Sequence, residues 1–325
     1  MTANPPVPPS APVAPVAPVP PVAPVPPVAY AGEPGAFAED AVLAAYGDVR
    51  RLAVGSFRDV FLAVSGGSAR AGVVPIENLL NGTVRENYDL LLEHDLVIVG
   101  EVVVPVLLCL AALPGQTLDE IGRVYSHIQA LGQAEAFLRS RPWTTMTTYN
   151  TAGAGKIIRD TGERGAAAVL SPRAATLFGL QVLADGIAGA ADNRTRFVIV
   201  ARRGSGADAA PAPGPVGDAD AGATESAAPG SAASARRTTL VFAVRNEPGT
   251  LLRALESFAA RGVNLSSLES RPSRTAAWEY VFWVDIDAAA DDPACAAAIA
   301  DLRAAATMVR VLGSYPRDEG APASP

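Results

Sequence analysis

The sequence predicts an α/β protein built from two folded domains joined by a linker. Over residues 29–203, short apolar stretches alternate with amphipathic or Ala-rich stretches, as expected for strands that alternate with helices. Residues 204–236 are mostly Gly, Ala, Ser, Pro and Asp, which bury too little apolar surface to fold and predict a flexible linker. Residues 237–316 follow the order strand, helix, strand, strand, helix, strand, which is that of a ferredoxin-like βαββαβ unit.

Composition limits the partners of these domains. Of the 325 residues, 49% are apolar, enough for a sizeable core, and the net charge of −7 argues against a nucleic-acid partner. The two cysteines form neither a disulfide framework nor a metal-binding spacing, so they predict buried thiols in a reducing cytoplasm and no metal site. The most apolar stretch, residues 102–114, is shorter than the ~20 residues of a spanning helix, so no membrane partner is predicted.

The chain ends are predicted to lie outside both domains. Residues 1–28 consist almost entirely of Pro, Val and Ala, and proline at this density prevents helices and sheets and favours extended polyproline II. The segment has neither the basic start nor the unbroken apolar core of a signal peptide. We therefore predict a disordered tail over residues 1–28 and a second, short one over residues 317–325.

The first half of the larger domain provides two candidate ligand-binding elements. It opens with a strand, a Gly-rich turn and a helix over about residues 38–46. Such a turn lets a ligand approach backbone N–H groups at the start of a helix, here those of Gly35 and Ala36. A later apolar strand ends at Glu77 and Asn78, and open α/β sheets bind their ligands at strand ends.

The second half adds further strand ends and returns to the first. A strand is predicted to end at Tyr125, just before Ser126, the next helix carries Gln133, and Thr151 is the predicted N-cap of a later helix. The last strand begins with residues 193–197, Asn-Arg-Thr-Arg-Phe, which place two cations and a hydroxyl at its start. Arginine suits a carboxylate ligand because its planar fork donates two parallel hydrogen bonds. The return of this strand after a second βα series predicts two lobes with a cleft between them.

Five motifs, in this order, resemble those of the prephenate dehydratase family. They are Gly32-Glu33-Pro34-Gly35-Ala36-Phe37, Pro75-Ile76-Glu77-Asn78, Ser126-His127-Ile128-Gln129-Ala130-Leu131-Gly132-Gln133, Thr151-Ala152-Gly153-Ala154 and Thr195-Arg196-Phe197. Leu79 stands where the family usually has Ser, and residues 85–101 closely resemble plant-type arogenate dehydratases. The resemblance covers residues 29–316. It implies a catalytic domain over 29–203 that is similar to two-lobed periplasmic-binding-protein domains, and an ACT regulatory domain over 237–316.

The resemblance implies a carbon–oxygen lyase that needs no cofactor. The expected reaction is the decarboxylating dehydration of prephenate to phenylpyruvate, carbon dioxide and water, in phenylalanine biosynthesis. The implied catalytic residues are Thr195 as the proton donor to the leaving hydroxide, with Glu77, Asn78 and Gln133. The implied substrate-binding residues are Arg196, Phe197, Ser126, Thr151, Gly35 and Ala36. Two alternatives stay open: an arogenate dehydratase that forms phenylalanine directly, and a non-catalytic amino-acid-sensing protein.

The smaller domain carries two motifs that resemble the ligand motifs of ACT domains. Gly249-Thr250-Leu251-Leu252 resembles Gly-Ala-Leu-Val, and Glu269-Ser270-Arg271-Pro272 is the Glu-Ser-Arg-Pro motif unaltered. The resemblance implies that these eight residues, with Asn264 and Leu265, form a site for L-phenylalanine as feedback inhibitor. It also implies a cytoplasmic homodimer or homotetramer, because such domains pair.

Overall fold

A computed structural model describes residues 25–190, 192–205, 209–211, 235–272, 280–318 and 320. Most of the predicted N-terminal tail, most of the predicted linker and the last five residues lie outside this set, and Val28 of the predicted tail instead begins the first strand. No helix among the described residues has both the length and the apolar character to cross a lipid bilayer. Both cysteines are free and buried, as predicted, and burial raises the pKa of Cys109 to about 12.

The first lobe is a mixed sheet flanked by helices. Its strands are β1 (Val28–Ala31), β2 (Arg51–Val54), β3 (Ala71–Asn78), β4 (Gly82–Thr83), β5 (Leu96–Pro105) and β11 (Arg194–Arg202). Its helices are α1 (Phe37–Tyr46), α2 (Phe57–Ser65) and α3 (Arg85–Glu93). The strand order is β2-β1-β3-β11-β5, in which β11 runs antiparallel to both of its neighbours. The last strand of the larger domain therefore lies inside the first sheet, which requires the chain to leave this lobe and return.

The second lobe is formed by the intervening residues. Its strands are β6 (Cys109–Ala112), β7 (Arg123–Ser126), β8 (Thr144–Thr147), β9 (Ala166–Leu170) and β10 (Gln181–Ala184), in the order β10-β6-β9-β7-β8. Its helices are α4 (Ile128–Gln133), α5 (Glu135–Arg139), α6 (Thr151–Thr161) and α7 (Pro172–Leu177). The chain passes between the lobes after β5 and again before β11. The predicted two-lobed architecture is confirmed.

The C-terminal domain has the predicted βαββαβ order. Its elements are β12 (Arg236–Ala243), α8 (Thr250–Ala259), β13 (Leu265–Pro272), β14 (Tyr280–Ile286), α9 (Pro293–Ala305) and β15 (Met308–Pro316). The strands form one antiparallel sheet in the order β13-β14-β12-β15. The buried residues of both helices pack against this sheet and form one apolar core with it.

The C-terminal domain packs against the first lobe and shares an apolar core with it. Trp283 of β14 meets Tyr88 of α3 edge to face, with ring centroids 4.8 Å apart. Strand β15 lies so close to β5 that any side chain at Gly313 would collide with the backbone of Ile98. Arg310 of β15 donates to three carbonyl groups at the junction of α3 and β5, at 2.8–3.4 Å. The domains are therefore in direct contact, so a change in one can act on the other.

Candidate active site

The ends of β3 and β11 meet, and a bulge decides which side chains share a face. The strands pair so that Thr195 lies opposite Asn78 and Arg196 opposite Glu77. The register shifts after Arg196 and leaves Ile76 as an extra residue of β3, which is a β-bulge. Because successive side chains of a strand point to opposite faces, Asn78 and Thr195 share one face and Glu77 and Arg196 the other.

The hydroxyl of Thr195 is held by the side chain of Asn78. Thr195 is 8% exposed, and Asn78 Nδ2 donates to its Oγ1 at 3.0 Å. The other end of the amide, Asn78 Oδ1, accepts from the backbone N–H groups of Leu80 at 3.1 Å and Asn81 at 2.9 Å. These two bonds fix the orientation of the amide, so Nδ2 must face Thr195. The Thr195 oxygen is therefore an acceptor here, which leaves its own proton free to be donated.

Asn193 links this pair to the second lobe. Its Oδ1 lies 2.9 Å from Asn78 Nδ2, and its Nδ2 donates to Gln133 Oε1 at 3.0 Å. Gln133 is the last residue of α4, so the contact joins the two lobes. Three of the four predicted catalytic residues, Asn78, Gln133 and Thr195, are therefore linked through Asn193 in one hydrogen-bonded group. Asn193 was not among the predicted site residues.

Two ion pairs also join the lobes. Lys156 Nζ of α6 lies 2.9 Å from Glu33 Oε2, and Arg173 Nη2 of α7 lies 2.8 Å from Glu39 Oε2. Arg173 also pairs with Asp40. The pKa of Glu39 lies below its ordinary value. Burial alone would raise this pKa, but the hydrogen bond from the Gly35 N–H group and the hydrogen bond and charge of Arg173 outweigh that effect. The cations come from the second lobe and the carboxylates from the first.

The turn before α1 does not present free N–H groups to a ligand, so the predicted role of Gly35 and Ala36 needs correction. The Gly35 N–H group donates to Glu39 Oε2 at 2.7 Å, and that of Ala36 to the Glu33 carbonyl at 3.1 Å. Gly35 has φ +90°, and a Cβ there would lie 3.0 Å from the Cβ of Ala174 in the second lobe. Glycine is needed here because the lobes approach closely.

Arg196, predicted to hold a substrate carboxylate, instead binds carboxylates of the protein. Its Nη2 lies 2.8 Å from Asp285 Oδ2 of the C-terminal domain, and its Nη1 lies 3.3 Å from Glu101 Oε2. Burial lowers the pKa of Arg196, but the charges of Asp285 and Glu101 outweigh it and keep this pKa above its ordinary value. The correction follows from strand alternation, which turns Arg196 away from Thr195.

Glu77 and Phe197 also differ from their predicted roles. Glu77 lies on the Arg196 face and lines a pocket of about 500 Å³ between the first lobe and the C-terminal domain. Phe197 shares the Thr195 face but is 2% exposed and packs into the core beneath α1. Glu77 is therefore not beside the Thr195 hydroxyl, and Phe197 supports the strand rather than contacting a ligand.

Ser126 and Thr151 lie in the second lobe, at the start of α4 and α6. Ser126 is fully buried and its hydroxyl donates to the Val169 carbonyl at 2.6 Å, so its predicted contact with substrate is corrected to a bond between strands. The N-cap of α6 is Asn150, whose Oδ1 accepts from the Gly153 N–H group at 2.5 Å, and not Thr151. Thr151 follows this cap as the first helical residue and stays a predicted substrate contact.

The residues predicted to bind phenylalanine lie in two different places: some at the start of α8, and Arg271 at the contact with the first lobe. Gly249 has φ +83° and precedes α8, and the Thr250 hydroxyl donates to the carbonyls of Arg245 and Glu247 at 2.6 and 2.9 Å. Arg271 points away, to Asp89 of α3 at 3.1 Å, so its predicted contact with phenylalanine is corrected to a contact between domains. The others, Leu251, Leu252, Asn264, Leu265, Glu269, Ser270 and Pro272, stay a prediction.

Comparisons with known proteins agree with this architecture. A family model described as prephenate dehydratase matches residues 28–205, and an ACT-domain model matches residues 238–304. Arogenate dehydratase 5 of Arabidopsis thaliana is 38% identical over 308 residues, which cover 89% of this chain and 67% of that protein.

Two solved structures are similar along nearly the whole chain. A prephenate dehydratase from Arthrobacter aurescens in complex with L-Phe has a TM-score of 0.74 and 31% identity, covering 92% of this chain and 93% of that one. GqqA, described as a novel type of quorum quenching acylase, has a TM-score of 0.76 and 31% identity, covering 90% and 98%. The similarity thus includes both lobes and the C-terminal domain.

Proposed function

The chain belongs to the prephenate dehydratase family, and from this membership we propose that it converts prephenate into phenylpyruvate, carbon dioxide and water. The observation that carries the proposal is the Thr195 hydroxyl, which accepts from Asn78 Nδ2 at 3.0 Å and so keeps its own proton for a ligand.

The reaction needs a proton at one atom. Prephenate carries a carboxylate and a hydroxyl at opposite ends of a cyclohexadiene ring. When the bond to the carboxylate breaks, its electron pair enters the ring, the bond to the hydroxyl oxygen breaks, and an aromatic ring forms. The departing hydroxide takes the proton of Thr195 and leaves as water, and solvent then reprotonates the Thr195 oxygen. Protonation of the leaving group in the transition state contributes typically 10²- to 10⁴-fold in rate.

Asn78 supplies a reason for the acidity of Thr195. A threonine hydroxyl is a weak acid, and a hydrogen bond to its charged form favours ionisation. The Asn78 N–H group, already aligned on Oγ1, strengthens this bond as negative charge develops there, without having to reorganise.

Lys156 and Arg173 are the proposed partners of the two substrate carboxylates. Both project from the second lobe and are neutralised by Glu33 and Glu39 of the first lobe. We infer that the lobes open to admit the dianionic substrate, and that its carboxylates replace Glu33 and Glu39 as partners of the two cations before the lobes close again. This proposal replaces the one made for Arg196, whose partners Glu101 and Asp285 lie in the first lobe and the C-terminal domain, so that opening of the lobes would not free it.

The C-terminal domain is proposed to bind L-phenylalanine and to inhibit the enzyme, with the chain acting as a cytoplasmic homodimer or homotetramer. The Arthrobacter relative in complex with L-Phe supports the effector. Large apolar side chains exposed on this domain, those of Leu252, Leu268 and Tyr280, support pairing between chains. Light scattering after size-exclusion chromatography measures the assembly, and a monomeric mass would rule out pairing.

Incubation of the full chain with prephenate, and separately with arogenate, tests the proposed activity. Chromatography of the products should detect phenylpyruvate from prephenate. Faster formation of phenylalanine from arogenate would favour the alternative activity, which the Arabidopsis relative supports. Binding of either compound without any product would refute catalysis and leave an amino-acid-sensing protein.

A further inference from the structure

We propose that Asn193 is a positioning residue that aligns the Thr195 proton donor through Asn78 and makes this alignment depend on the second lobe. The inference rests on the proposed dehydratase activity and deepens it. It concerns a residue that lies outside the Thr195-Arg196-Phe197 motif, and it starts from the hydrogen bonds of three amide side chains.

Asn193 occupies the junction between the lobes. It is 5% exposed, and its backbone carbonyl accepts from the Val106 N–H group at 2.7 Å. Val106 follows β5 where the chain first leaves the first lobe, and Asn193 precedes β11 where the chain returns. The backbone of Asn193 is therefore fixed between the two connections, and its side chain can reach both lobes.

The three amides form a directional chain. Asn78 Nδ2 has two protons and three acceptors within 3.1 Å: Asn193 Oδ1, the Arg194 carbonyl and Thr195 Oγ1. One proton of Asn78 Nδ2 is donated to Asn193 Oδ1. Because the amide group is planar, its other proton is then directed towards Thr195 Oγ1 and the Arg194 carbonyl. Without Asn193 Oδ1, a buried N–H group of Asn78 loses its partner. Only the two backbone bonds at the Oδ1 end then hold the amide, so the alignment of Nδ2 on Thr195 is less tightly fixed.

Gln133 accepts from the other end of the Asn193 amide. Because Asn78 Nδ2 faces Asn193, Asn193 Oδ1 is the acceptor there, and Asn193 Nδ2 donates to Gln133 Oε1 at 3.0 Å. A reversed Asn193 would place two NH₂ groups against each other. Gln133 belongs to the second lobe, so the order Gln133, Asn193, Asn78, Thr195 exists only while the lobes are together. The Gln133 amide nitrogen has no hydrogen bond to another described residue, which leaves it for an acceptor on the substrate.

Two substitutions of Asn193 separate positioning from simple loss of structure. Asn193→Ala should lower kcat by about 10- to 100-fold, less than the full worth of a general acid, with KM changed less than about threefold. Asn193→Asp keeps an acceptor for Asn78. When ionised, it cannot donate to Gln133 Oε1 and adds negative charge near the leaving hydroxide. Burial raises the pKa of a carboxyl group, so activity of Asn193→Asp should rise as pH falls through the raised value, relative to the unaltered protein.

Asn87→Ala is the matched control. Asn87, like Asn193, is a buried asparagine; its Nδ2 donates to the Pro75 carbonyl of β3 at 2.6 Å, and it does not contact Thr195. It should lower the melting temperature and leave kcat and the pH profile of the folded protein unchanged. Wild-type kcat in Asn193→Ala, or a pH profile of Asn193→Asp parallel to that of the unaltered protein, would overturn the inference. Failure of the unaltered protein to form product would instead refute the proposed activity. If Asn193→Ala does not fold, the pH profile of Asn193→Asp decides alone.

Discussion

The contact between Arg196 and Asp285 gives a direct physical link from the C-terminal domain to the strand that carries Thr195. Arg196 follows Thr195 in β11, and its guanidinium lies 2.8 Å from the Asp285 carboxylate of β14. Asp285 also accepts from the Thr239 hydroxyl at 2.6 Å. Asp285→Asn removes the charge of this link and keeps the size of the side chain.

The expected loss of stability follows from the partners that remain. Removing one partner of a buried ion pair costs about 3–5 kcal/mol when the other charge is left alone. Arg196 keeps Glu101 at 3.3 Å and Glu77 at 3.4 Å, and the new amide oxygen can still accept. We therefore expect a loss of about 1–3 kcal/mol in the free energy of unfolding, in the range of one hydrogen bond to a charged group. Each kcal/mol should lower the melting temperature by about 2–4 °C.

The same change should weaken the response to phenylalanine. Coupling between two sites is typically ~1–3 kcal/mol, or about 5- to 150-fold in affinity. If this contact carries part of the coupling, the ratio of half-saturating prephenate with and without phenylalanine should fall towards one in Asp285→Asn. Steady-state kinetics at several phenylalanine concentrations measure the ratio.

Asp301→Asn is the matched control for Asp285→Asn. Asp301 pairs with Arg261 at 2.6 Å on the exposed surface of the same domain. Asp301→Asn therefore removes the same charge as Asp285→Asn, but away from the first lobe. It should leave both melting temperature and phenylalanine response nearly unchanged. An unchanged response in Asp285→Asn would refute the coupling role, and an unchanged melting temperature as well would refute the estimate of stability.

Three further outcomes are expected. If the serine usual in the family adds one hydrogen bond, worth about 1 kcal/mol, Leu79→Ser should raise kcat/KM by at most about fivefold, and a large fall in kcat/KM would contradict this expectation. Calorimetry of the full chain with phenylalanine should record heat together with loss of activity at millimolar concentrations, whereas no heat would leave the C-terminal domain as an assembly module. Since the folded pKa of Glu39 is below its unfolded value, its stabilisation is present above about pH 4.5 and is lost as pH falls through the folded pKa; the difference in unfolding free energy between the protein and Glu39→Gln should therefore shrink on acidification.

The sequence was sufficient for the order of elements and for the position of strand ends. Alternating apolar and amphipathic stretches predicted the two lobes, because each βα unit buries its apolar side locally. The strand ends that carry Asn78 and Thr195 followed from the same pattern. Alternation along β11 could also have separated Arg196 from Thr195, since adjacent residues of a strand face opposite ways.

Other features of the site depend on tertiary contacts that no pattern encodes. The extra residue Ile76 in β3 brings Asn78 to the face of Thr195, and nothing in its apolar surroundings marks a bulge. The Gly-rich turn has the composition of a ligand loop, yet its Gly35 N–H group is used by Glu39, four residues later. Asn193 adjoins the catalytic motif, but an asparagine before a strand is ordinarily a turn residue.

Replacement of the Thr195 hydroxyl tests the proposed chemistry most directly. Thr195→Val keeps nearly the same shape and removes the proton donor, and Thr195→Ser keeps the hydroxyl as the matched control. With prephenate as substrate, kcat of Thr195→Val should fall by about 10²- to 10⁴-fold while KM changes little, and Thr195→Ser should retain much of the activity. Near-normal kcat in a folded Thr195→Val protein would contradict the assignment of Thr195 as the acid.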